Sequence, residues 1–363
     1  MTRVIITCGA GGVGKTTISA ALALRLAEEG RKVMVITIDP ARRLADALGL
    51  ADLGNTPQRV PTAAGELQAM MLDAKRSFDE LIAKHAPTPE ARDRILANHY
   101  YRSVSDRLPG IHEYMAMERL LSVVRAAEVD VVVLDTPPTR HALDFLSAPE
   151  RMAGLMDEGV MRWLVLPASS GGWRMLEMGS DVLAGILKRL LGQSTIEDIA
   201  DFFAGFQSLW SGFRERSLAA RTLLRAASTQ FVLVTAPAPG ARAEALAFLD
   251  VLRKDGMPFA GFLVNRCASP VSEPAAWPSP APTDDPVRWD ATVAAIASTL
   301  KRHRSLVATQ EAAIADLLTH APRGALAWRI PEAEGEVHNL EGLRALGEVL
   351  AASGALAALG GPR

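Results

Sequence analysis

The chain has 363 residues, of which 49% are hydrophobic, so it can bury a core larger than that of a single minimal domain. Its 39 basic and 41 acidic residues nearly cancel, which excludes a strong overall attraction to nucleic acid or to acidic membranes. With two cysteines, no signal-peptide pattern and no uncharged apolar run of transmembrane length, we expect a cytoplasmic protein without a disulfide framework or integral membrane segment.

The first predicted strand, residues 3–8, leads directly into a glycine-rich segment. Residues 9–17 read GAGGVGKTT and fit the phosphate-loop pattern G-x-x-x-x-G-K-[ST], and a helical pattern follows. Backbone N–H groups of such a loop and the start of the helix attract phosphate, the lysine reaches the β- and γ-phosphates, and the first threonine binds Mg²⁺. The predicted ATP-binding residues here are Gly9, Gly11, Gly12, Val13, Gly14, Lys15, Thr16 and Thr17.

Two further predicted strands end in an aspartate. Residues 32–38 lead into Asp39, where Pro40 disfavours helix, and residues 129–134 lead into Asp135. Ligands of open parallel sheets bind at the carboxyl ends of the strands. In a chain with a phosphate loop, a hydrophobic strand that ends in Asp predicts an acid that assists Mg²⁺.

The rest of the chain alternates between strand and helix patterns, which predicts a doubly wound, mostly parallel α/β sheet of the P-loop NTPase class with a helical insertion subdomain. We expect residues 1–144 and 229–363 to form the core that carries the phosphate loop, and residues 145–228 to form the helical insertion. Residues 268–290 are rich in proline and predict a flexible loop within the core. Further predicted strands cover residues 66–72, 231–235, 259–264 and 325–330, and predicted helices cover much of 75–127, 241–253, 291–318 and the segment from about 340.

Taken together, these segments resemble the ArsA-type ATPase family, which includes the ATPase subunit of the arsenite pump and the ATPases that target tail-anchored membrane proteins. The phosphate loop is similar to the family's GKGGVGKTT, and the other matches lie in the same order along nearly the whole chain. They are Asp39-Pro40-Ala41 with Leu44 and Asp46 (DPAHNLSD in the family), Pro109-Gly110-Ile111 with Glu113 (PGIDE), Asp135 to His141 (DTAPTGHT), Val264-Asn265, and Ile330-Pro331 to Val337.

The resemblance implies roles for several of these residues. Asp39 would orient the attacking water, Asp135 would hold Mg²⁺ through water, and Asn265 would bind adenine, against which the Pro331 region would pack. The candidate catalytic residues are therefore Lys15, Asp39 and Asp135, and the candidate Mg²⁺ residues are Thr16, Asp39 and Asp135. The resemblance also implies a dimer that opens and closes with nucleotide state and serves a hydrophobic or membrane-protein client.

Three departures from the family pattern bear on these roles. The lysine that reaches the partner's ATP is replaced by Ala10, and the His-Asn pair after the first aspartate is replaced by Arg42-Arg43. Either arginine could replace the missing charge, or the pair could be solvated surface. Alternatively, a paralogue could supply the lysine in a heterodimer instead of a homodimer. The third departure is the lack of a CxxC pair and of a cysteine cluster for As(III), so arsenite activation is not expected.

Other interpretations remain open at this point. The methionines and aromatics of the insertion could form a client groove or plain helix packing, and residues 202–213 favour a buried helix face. Asp46 is expected to cap a short helix. The chain could instead be a positioning or partitioning switch ATPase of the MinD/ParA-like kind, although it shows neither a basic DNA-binding patch nor a basic amphipathic C-terminus. An iron–sulfur reductase component would need exposed loop cysteines, which Cys8 and Cys267 do not match.

Overall fold

The computed structural model describes residues 2–361 except for 40, 87, 99–100, 102–110, 138–209, 273–285, 334, 336 and 338. Its centre is an eight-stranded sheet with the strand order β3-β4-β2-β5-β1-β6-β7-β8. All neighbouring strands in it are parallel except β3, which runs antiparallel to β4 at one edge. The strands are β1 Arg3–Cys8, β2 Lys32–Thr37, β3 Gln58–Val60, β4 Glu66–Met71, β5 Val131–Asp135, β6 Thr229–Thr235, β7 Phe259–Cys267 and β8 Leu326–Pro331.

Helices pack on both faces of this sheet, because alternate residues of each central strand point to opposite sides. In β1, Val4, Ile6 and Cys8 belong to one buried cluster, and Ile5 belongs to the other. The described helices are α1 Lys15–Glu28, α2 Arg43–Leu48, α3 Ala74–His85, α4 Pro89–Ala97, α5 Ile111–Ala126, α6 Trp210–Arg225, α7 Pro239–Lys254, α8 Pro286–His320, α9 Leu340–Ala352 and α10 Ala355–Gly360.

The helix α1 is buried on nearly all sides, which explains why its sequence is rich in alanine and leucine with little polar face. The sheet covers one side of it and α9 covers another, where Arg344 donates to Glu28 at 2.7 Å and Arg25 donates to Glu348 at 2.5 Å. In α9 and α10, Leu343, Leu350, Leu356 and Leu359 are buried in the same cluster. The last described helices are therefore part of the core on the phosphate-loop side of the sheet.

The predicted doubly wound, mostly parallel α/β sheet is confirmed, with two local corrections. No strand is predicted between residues 39 and 65, but Gln58–Val60 form the antiparallel edge strand β3. The predicted loop 268–290 is too long at its carboxyl end, because α8 begins at Pro286 and extends to His320.

Most of the predicted insertion lies outside the described residues. Of the segment 145–228, the structure describes α6 and the residues that join it to β6. Phe213 on α6 is fully buried, as expected for the aromatic stripe that includes it. Within the described ranges, no helix is both long enough and apolar enough to cross a bilayer.

The parallel strands bring the candidate functional residues to one edge of the sheet. The phosphate loop follows β1, Asp39 comes two residues after β2, Asp135 ends β5 and Asn265 lies near the end of β7. Because β5 lies between β1 and β2, Asp135 is placed between the phosphate loop and the segment that carries Asp39.

Gly9 allows the phosphate loop to pass close to strand β6. Its φ is +152°, and a Cβ at this position would lie 2.0 Å from the backbone oxygen of Val234. We expect Gly9→Ala to lower the free energy of unfolding by about 3 kcal/mol or more, because that oxygen belongs to a strand and cannot move easily. Gly12→Ala is the matched control: its φ is +76°, but no atom lies within 4 Å of the added Cβ.

For Gly12→Ala we expect a loss of about 1 kcal/mol, the cost of a left-handed backbone for a residue with a side chain. Urea unfolding of the parent and both variants measures the difference. Equal losses for the two variants would contradict the close approach at Gly9, whereas a Gly9→Ala protein that fails to accumulate in folded form would agree with it.

Candidate functional site

The conformation of the phosphate loop depends on two glycines with a left-handed backbone and on a side chain from a distant strand. Gly12 and Gly14 have φ values of +76° and +93°, and Gly14 is the N-cap of α1. A Cβ on Gly14 would lie 2.5 Å from Nδ2 of Asn265, and that same amide nitrogen donates to the carbonyl oxygen of Val13 at 2.8 Å. Asn265 therefore supports the loop directly, a contact that the sequence pattern did not indicate.

The Lys15 side chain curls back over the loop. Its Nζ donates to the carbonyl oxygen of Ala10 at 2.8 Å, and the residue is only 7% exposed. Burial lowers the pKa of Lys15, while the nearby carboxylate of Asp135 acts in the opposite direction. An ammonium group held in this way can exchange a carbonyl oxygen for a phosphate oxygen, which carries more negative charge.

Asp135 is a completely buried carboxylate with two hydroxyl donors on one oxygen. Thr16 donates to its Oδ2 at 2.7 Å and Thr37 donates to the same atom at 3.0 Å. Burial raises the pKa of Asp135 from the ordinary 3.8 to about 6, and the two hydroxyl groups partly oppose this rise. Oδ1 has no hydrogen-bond partner among the described residues.

This donor set fits Mg²⁺. Hydroxyl and carboxylate oxygens are the ligands that Mg²⁺ prefers, and the ion is usually bound through one or two protein groups together with substrate phosphates and water. Thr16 lies at the first turn of α1, and the unpartnered oxygen of Asp135 is a buried acceptor beside it. A cation nearby would also compensate a buried negative charge that no described ion pair neutralises.

Asp39 is tied to the same network through its backbone. Its N–H donates to Oγ1 of Thr37 at 3.2 Å, so Thr37 connects Asp39 to Asp135. The Asp39 side chain accepts from the N–H of Ala41 at 3.0 Å through Oδ1, and Oδ2 lies 3.7 Å from Nη1 of Arg43. The carboxylate is thus fixed at one oxygen and only loosely paired at the other.

These groups surround one cavity of about 670 Å³ at the carboxyl edge of the sheet. The volume suits a ligand of nucleotide size. Its lining includes, among the predicted site residues, Gly11, Gly12, Gly14, Lys15, Thr16, Thr17, Asp39, Asn265 and Pro331. The structure therefore brings together predicted residues from four separate segments, of which the first and the last are more than 300 positions apart in the sequence.

Three predicted residues lie behind this lining. Gly9 packs against β6, Val13 is 5% exposed and offers its carbonyl oxygen to Asn265, and Asp135 lies beneath Thr16. Pro40 and residues 138–141, which follow Asp39 and Asp135 in the motifs matched above, are outside the described residues.

One prediction about the site is wrong. Asp46 does not cap α2, because the helix begins at Arg43 and its N-cap is Arg42. Asp46 lies inside the helix, where it contributes to the cavity lining.

Sequence reasoning missed two contributors to the site. Thr37 supplies the hydroxyl that joins the two aspartates, and its position at the end of a buried strand, two residues before Asp39, was the available signal. Arg266 lines the cavity beside Asn265, has a φ of +59° and lies in the irregular register between Val264 and Cys267. No sequence pattern predicts an arginine with a left-handed backbone inside a strand, because this conformation results from how the strand pairs with its neighbour.

Comparison with known proteins agrees with this geometry. Residues 2–266 match the profile of the family described as anion-transporting ATPases, ArsA_ATPase. The chain is 39% identical over 145 residues to "ATPase GET3" of Malassezia globosa, and 34% identical over 148 residues to "ATPase get3" of Aspergillus terreus. These matches cover 40% of this chain, and 42% and 43% of the respective relatives, so the matched part spans about two fifths of their length.

A longer match is found with "ATPase ASNA1 homolog" of Cryptosporidium parvum. It is 27% identical over 271 residues, which cover 75% of this chain and 67% of the relative.

The buried charge of Asp135 predicts a pH-dependent effect of Asp135→Asn on stability. Asparagine keeps an oxygen acceptor for Thr16 and Thr37 but carries no charge. Because burial raises the pKa of Asp135 from 3.8 to about 6, the ionised carboxylate destabilises the fold above pH 6. Without nucleotide and in EDTA, we expect Asp135→Asn to be more stable than the parent at pH 8 by about 1–3 kcal/mol.

The difference in the free energy of unfolding between Asp135→Asn and the parent should shrink as the pH falls from 6 to 4. Below its ordinary pKa, the carboxyl group of Asp135 is protonated in both the folded and the unfolded chain. Urea unfolding of both proteins at several pH values measures this difference. A difference of the same size at pH 4 and pH 8 would show that the charge of Asp135 is not the cause.

Proposed function

Because the chain belongs to the anion-transporting ATPase family, we propose that it is a Mg²⁺-dependent ATPase that converts ATP to ADP and phosphate. The observation that carries this proposal is the Thr16–Asp135 hydrogen bond of 2.7 Å at the base of a phosphate loop that opens into the cavity. A hydroxyl beside a buried carboxylate at this position supports the proposal, because these are groups that can hold a nucleotide-bound Mg²⁺.

In the proposed reaction, the N–H groups of the phosphate loop and the ammonium of Lys15 bind the phosphates. Thr16 and Asp135 would hold Mg²⁺, which neutralises the charge on the phosphate oxygens. Asp39 orients a water molecule towards the γ-phosphorus. The water oxygen forms its bond to phosphorus as the bond to the bridging oxygen breaks, ADP leaves with that electron pair, and the protons of the water end on phosphate or solvent.

We further propose that the base of the nucleotide lies at the other end of the cavity. There Asn265 and Pro331 are accompanied by Val337 and Leu346, which offer apolar surface to an adenine ring. One N–H of the Asn265 amide is used by Val13, and a primary amide has a second one for the base. Asn265 would then connect the base to the phosphate loop.

We also propose that ATP hydrolysis is coupled to the opening and closing of a dimer. This dimer would serve a hydrophobic or membrane-protein client in the cytoplasm. Its support is the order of family motifs along the chain and the presence of a methionine- and aromatic-rich segment, residues 145–228, as the candidate client-binding subdomain. The dimer is either a homodimer or a heterodimer with a paralogue that supplies the lysine replaced by Ala10. The mass of the purified complex in the presence of ATP distinguishes these two assemblies.

The ATPase proposal predicts that hydrolysis requires Lys15. We expect the parent chain to release phosphate from ATP in the presence of Mg²⁺ and to stop in EDTA. Lys15→Ala should lower kcat by roughly 100-fold or more, because the loop then lacks the charge that faces the β- and γ-phosphates. Lys84→Ala on α3, outside the cavity lining, is the matched control and should hydrolyse at the parent rate.

A malachite green assay measures the rate of phosphate release by the parent, Lys15→Ala and Lys84→Ala. A parent chain that binds ATP but releases no phosphate under any Mg²⁺ concentration would contradict an ATPase.

The role of Asp39 predicts a trapped state. Asp39→Asn retains an oxygen that can accept from the N–H of Ala41, but it loses the charge that orients water. We expect this variant to bind ATP as tightly as the parent and to hydrolyse it roughly 10- to 100-fold more slowly. Crosslinking and pull-down with this variant and ATP should then enrich hydrophobic clients relative to the same variant with ADP.

If Asp39→Asn hydrolyses ATP at the parent rate, Asp39 does not orient the attacking water. Equal recovery of the same proteins with ATP and ADP would contradict a nucleotide-dependent client cycle.

A further inference from the structure

Positive charge is distributed unevenly along the cavity. Among the described residues that line it, Lys15, Arg43 and Arg266 are cationic. Arg266 lies next to Asn265, at the end assigned to the base, whereas Arg43 approaches Asp39 at the phosphate end. The loop itself offers only a backbone carbonyl and a methyl group at Ala10, which is 6% exposed.

The structure shows that the two adjacent arginines, Arg42 and Arg43, have different surroundings, which the sequence alone could not show. The Arg42 guanidinium donates through Nη2 to the backbone oxygen of Ala51, on the loop that follows α2. Arg43, one residue later, contributes to the cavity lining and contacts the Asp39 carboxylate. Arg42 is therefore engaged with the protein backbone, and Arg43 is the one that faces the phosphate end.

The Arg43 side chain is held loosely where it lies. Its only described ion pair is the 3.7 Å contact with Oδ2 of Asp39, and 68% of its side chain is exposed. Exposed ion pairs contribute about 0–1 kcal/mol, so moving the guanidinium to another anion costs little. A phosphate group offers more negative charge and can accept two N–H donors of a guanidinium at once.

Arg43 and Lys15 contribute to the lining of the same cavity. Two positively charged side chains therefore face one space at its phosphate end. Two cations in one region repel each other, and this repulsion is relieved when a polyphosphate binds between them. The arrangement therefore favours a ligand with several negative charges at this end of the cavity.

We propose that Arg43 is a catalytic residue that supplies, from the same chain, the second positive charge on the γ-phosphate of ATP. In the nucleotide-free chain it pairs with Asp39. When ATP binds, the guanidinium moves to the terminal phosphate and leaves Oδ2 of Asp39 available to a water molecule. After phosphate leaves, Arg43 returns to Asp39. This inference rests on the proposed ATPase function and assigns to one arginine a role that Ala10 cannot fill.

The test compares Arg43→Ala, Arg43→Lys and the neighbouring control Arg42→Ala in the full-length chain. We expect Arg43→Ala to lower kcat roughly 10- to 1000-fold, because charge on the γ-phosphate develops mainly in the transition state. Its affinity for ADP, measured by titration calorimetry, should stay at the parent value, since ADP has no γ-phosphate. Arg43→Lys should recover part of kcat, because it keeps the charge but loses the planar fork. Arg42→Ala should hydrolyse ATP at the parent rate.

A mixing experiment tests whether the arginine acts within its own chain. Arg43→Ala, which has an intact Lys15, is mixed with Lys15→Ala, which has an intact Arg43. If Arg43 acts in the chain that carries it, the mixture hydrolyses no faster than the sum of the two separate proteins. A recovery of activity on mixing would show that the arginine reaches a partner's ATP and would overturn the proposed arrangement.

The outcomes separate this inference from the function on which it rests. A parent chain that hydrolyses ATP, together with an Arg43→Ala variant of equal kcat, overturns the inference and leaves the ATPase intact. Equal losses of ADP affinity and kcat in Arg43→Ala also overturn it, because they indicate a structural role. A parent chain that does not hydrolyse ATP overturns the ATPase proposal, and the inference with it.

Discussion

The candidate site depends on one buried carboxylate. Asp135 is fully inaccessible to solvent, and its Oδ2 accepts hydrogen bonds from Thr16 on the phosphate-loop helix and from Thr37 at the end of β2. Thr37 in turn accepts from the backbone of Asp39. Through these three contacts, one oxygen atom fixes the relative positions of the phosphate loop, the central strand and the segment that carries the candidate water-orienting acid. Because a buried anion is costly, this arrangement is favourable chiefly when a cation is bound beside it.

Much of this arrangement could be predicted from the sequence, for a physical reason. Buried parallel strands read as continuous β-branched runs, and a functional group after such a run must lie at the carboxyl edge of the sheet. That rule placed Asp39 and Asp135 at one edge, although the sequence does not state the strand order. Lys15 was located by the phosphate-loop pattern, and Asn265 was expected at the site from the family resemblance. The position of a residue along a strand is thus recoverable from local patterns when the strand is central and apolar, whereas the order of the strands in the sheet is not.

Contacts between distant segments could not be predicted in the same way. The short strand Gln58–Val60 has two exposed residues and no apolar run, so its existence depends on pairing with β4. The contact between the Asn265 amide and the Val13 carbonyl, and the left-handed backbone of Arg266, follow from how β7 pairs with its neighbours. The different directions of Arg42 and Arg43 depend on where α2 begins, and helix boundaries are poorly defined by local pattern.

The position of β1 in the sheet has a consequence for the biosynthesis of the chain. Val4 pairs with Val132 on one side and with Thr229 on the other, so the strand that leads into the phosphate loop is made early but receives its second partner late. At ~5–20 residues per second, the interval is on the order of 10 to 50 seconds. The cavity lining extends from Gly11 to Leu346, so no nucleotide can find the complete site on a ribosome-bound chain that ends before residue 346. A nucleotide can therefore stabilise the complete site only after most of the chain has been synthesised.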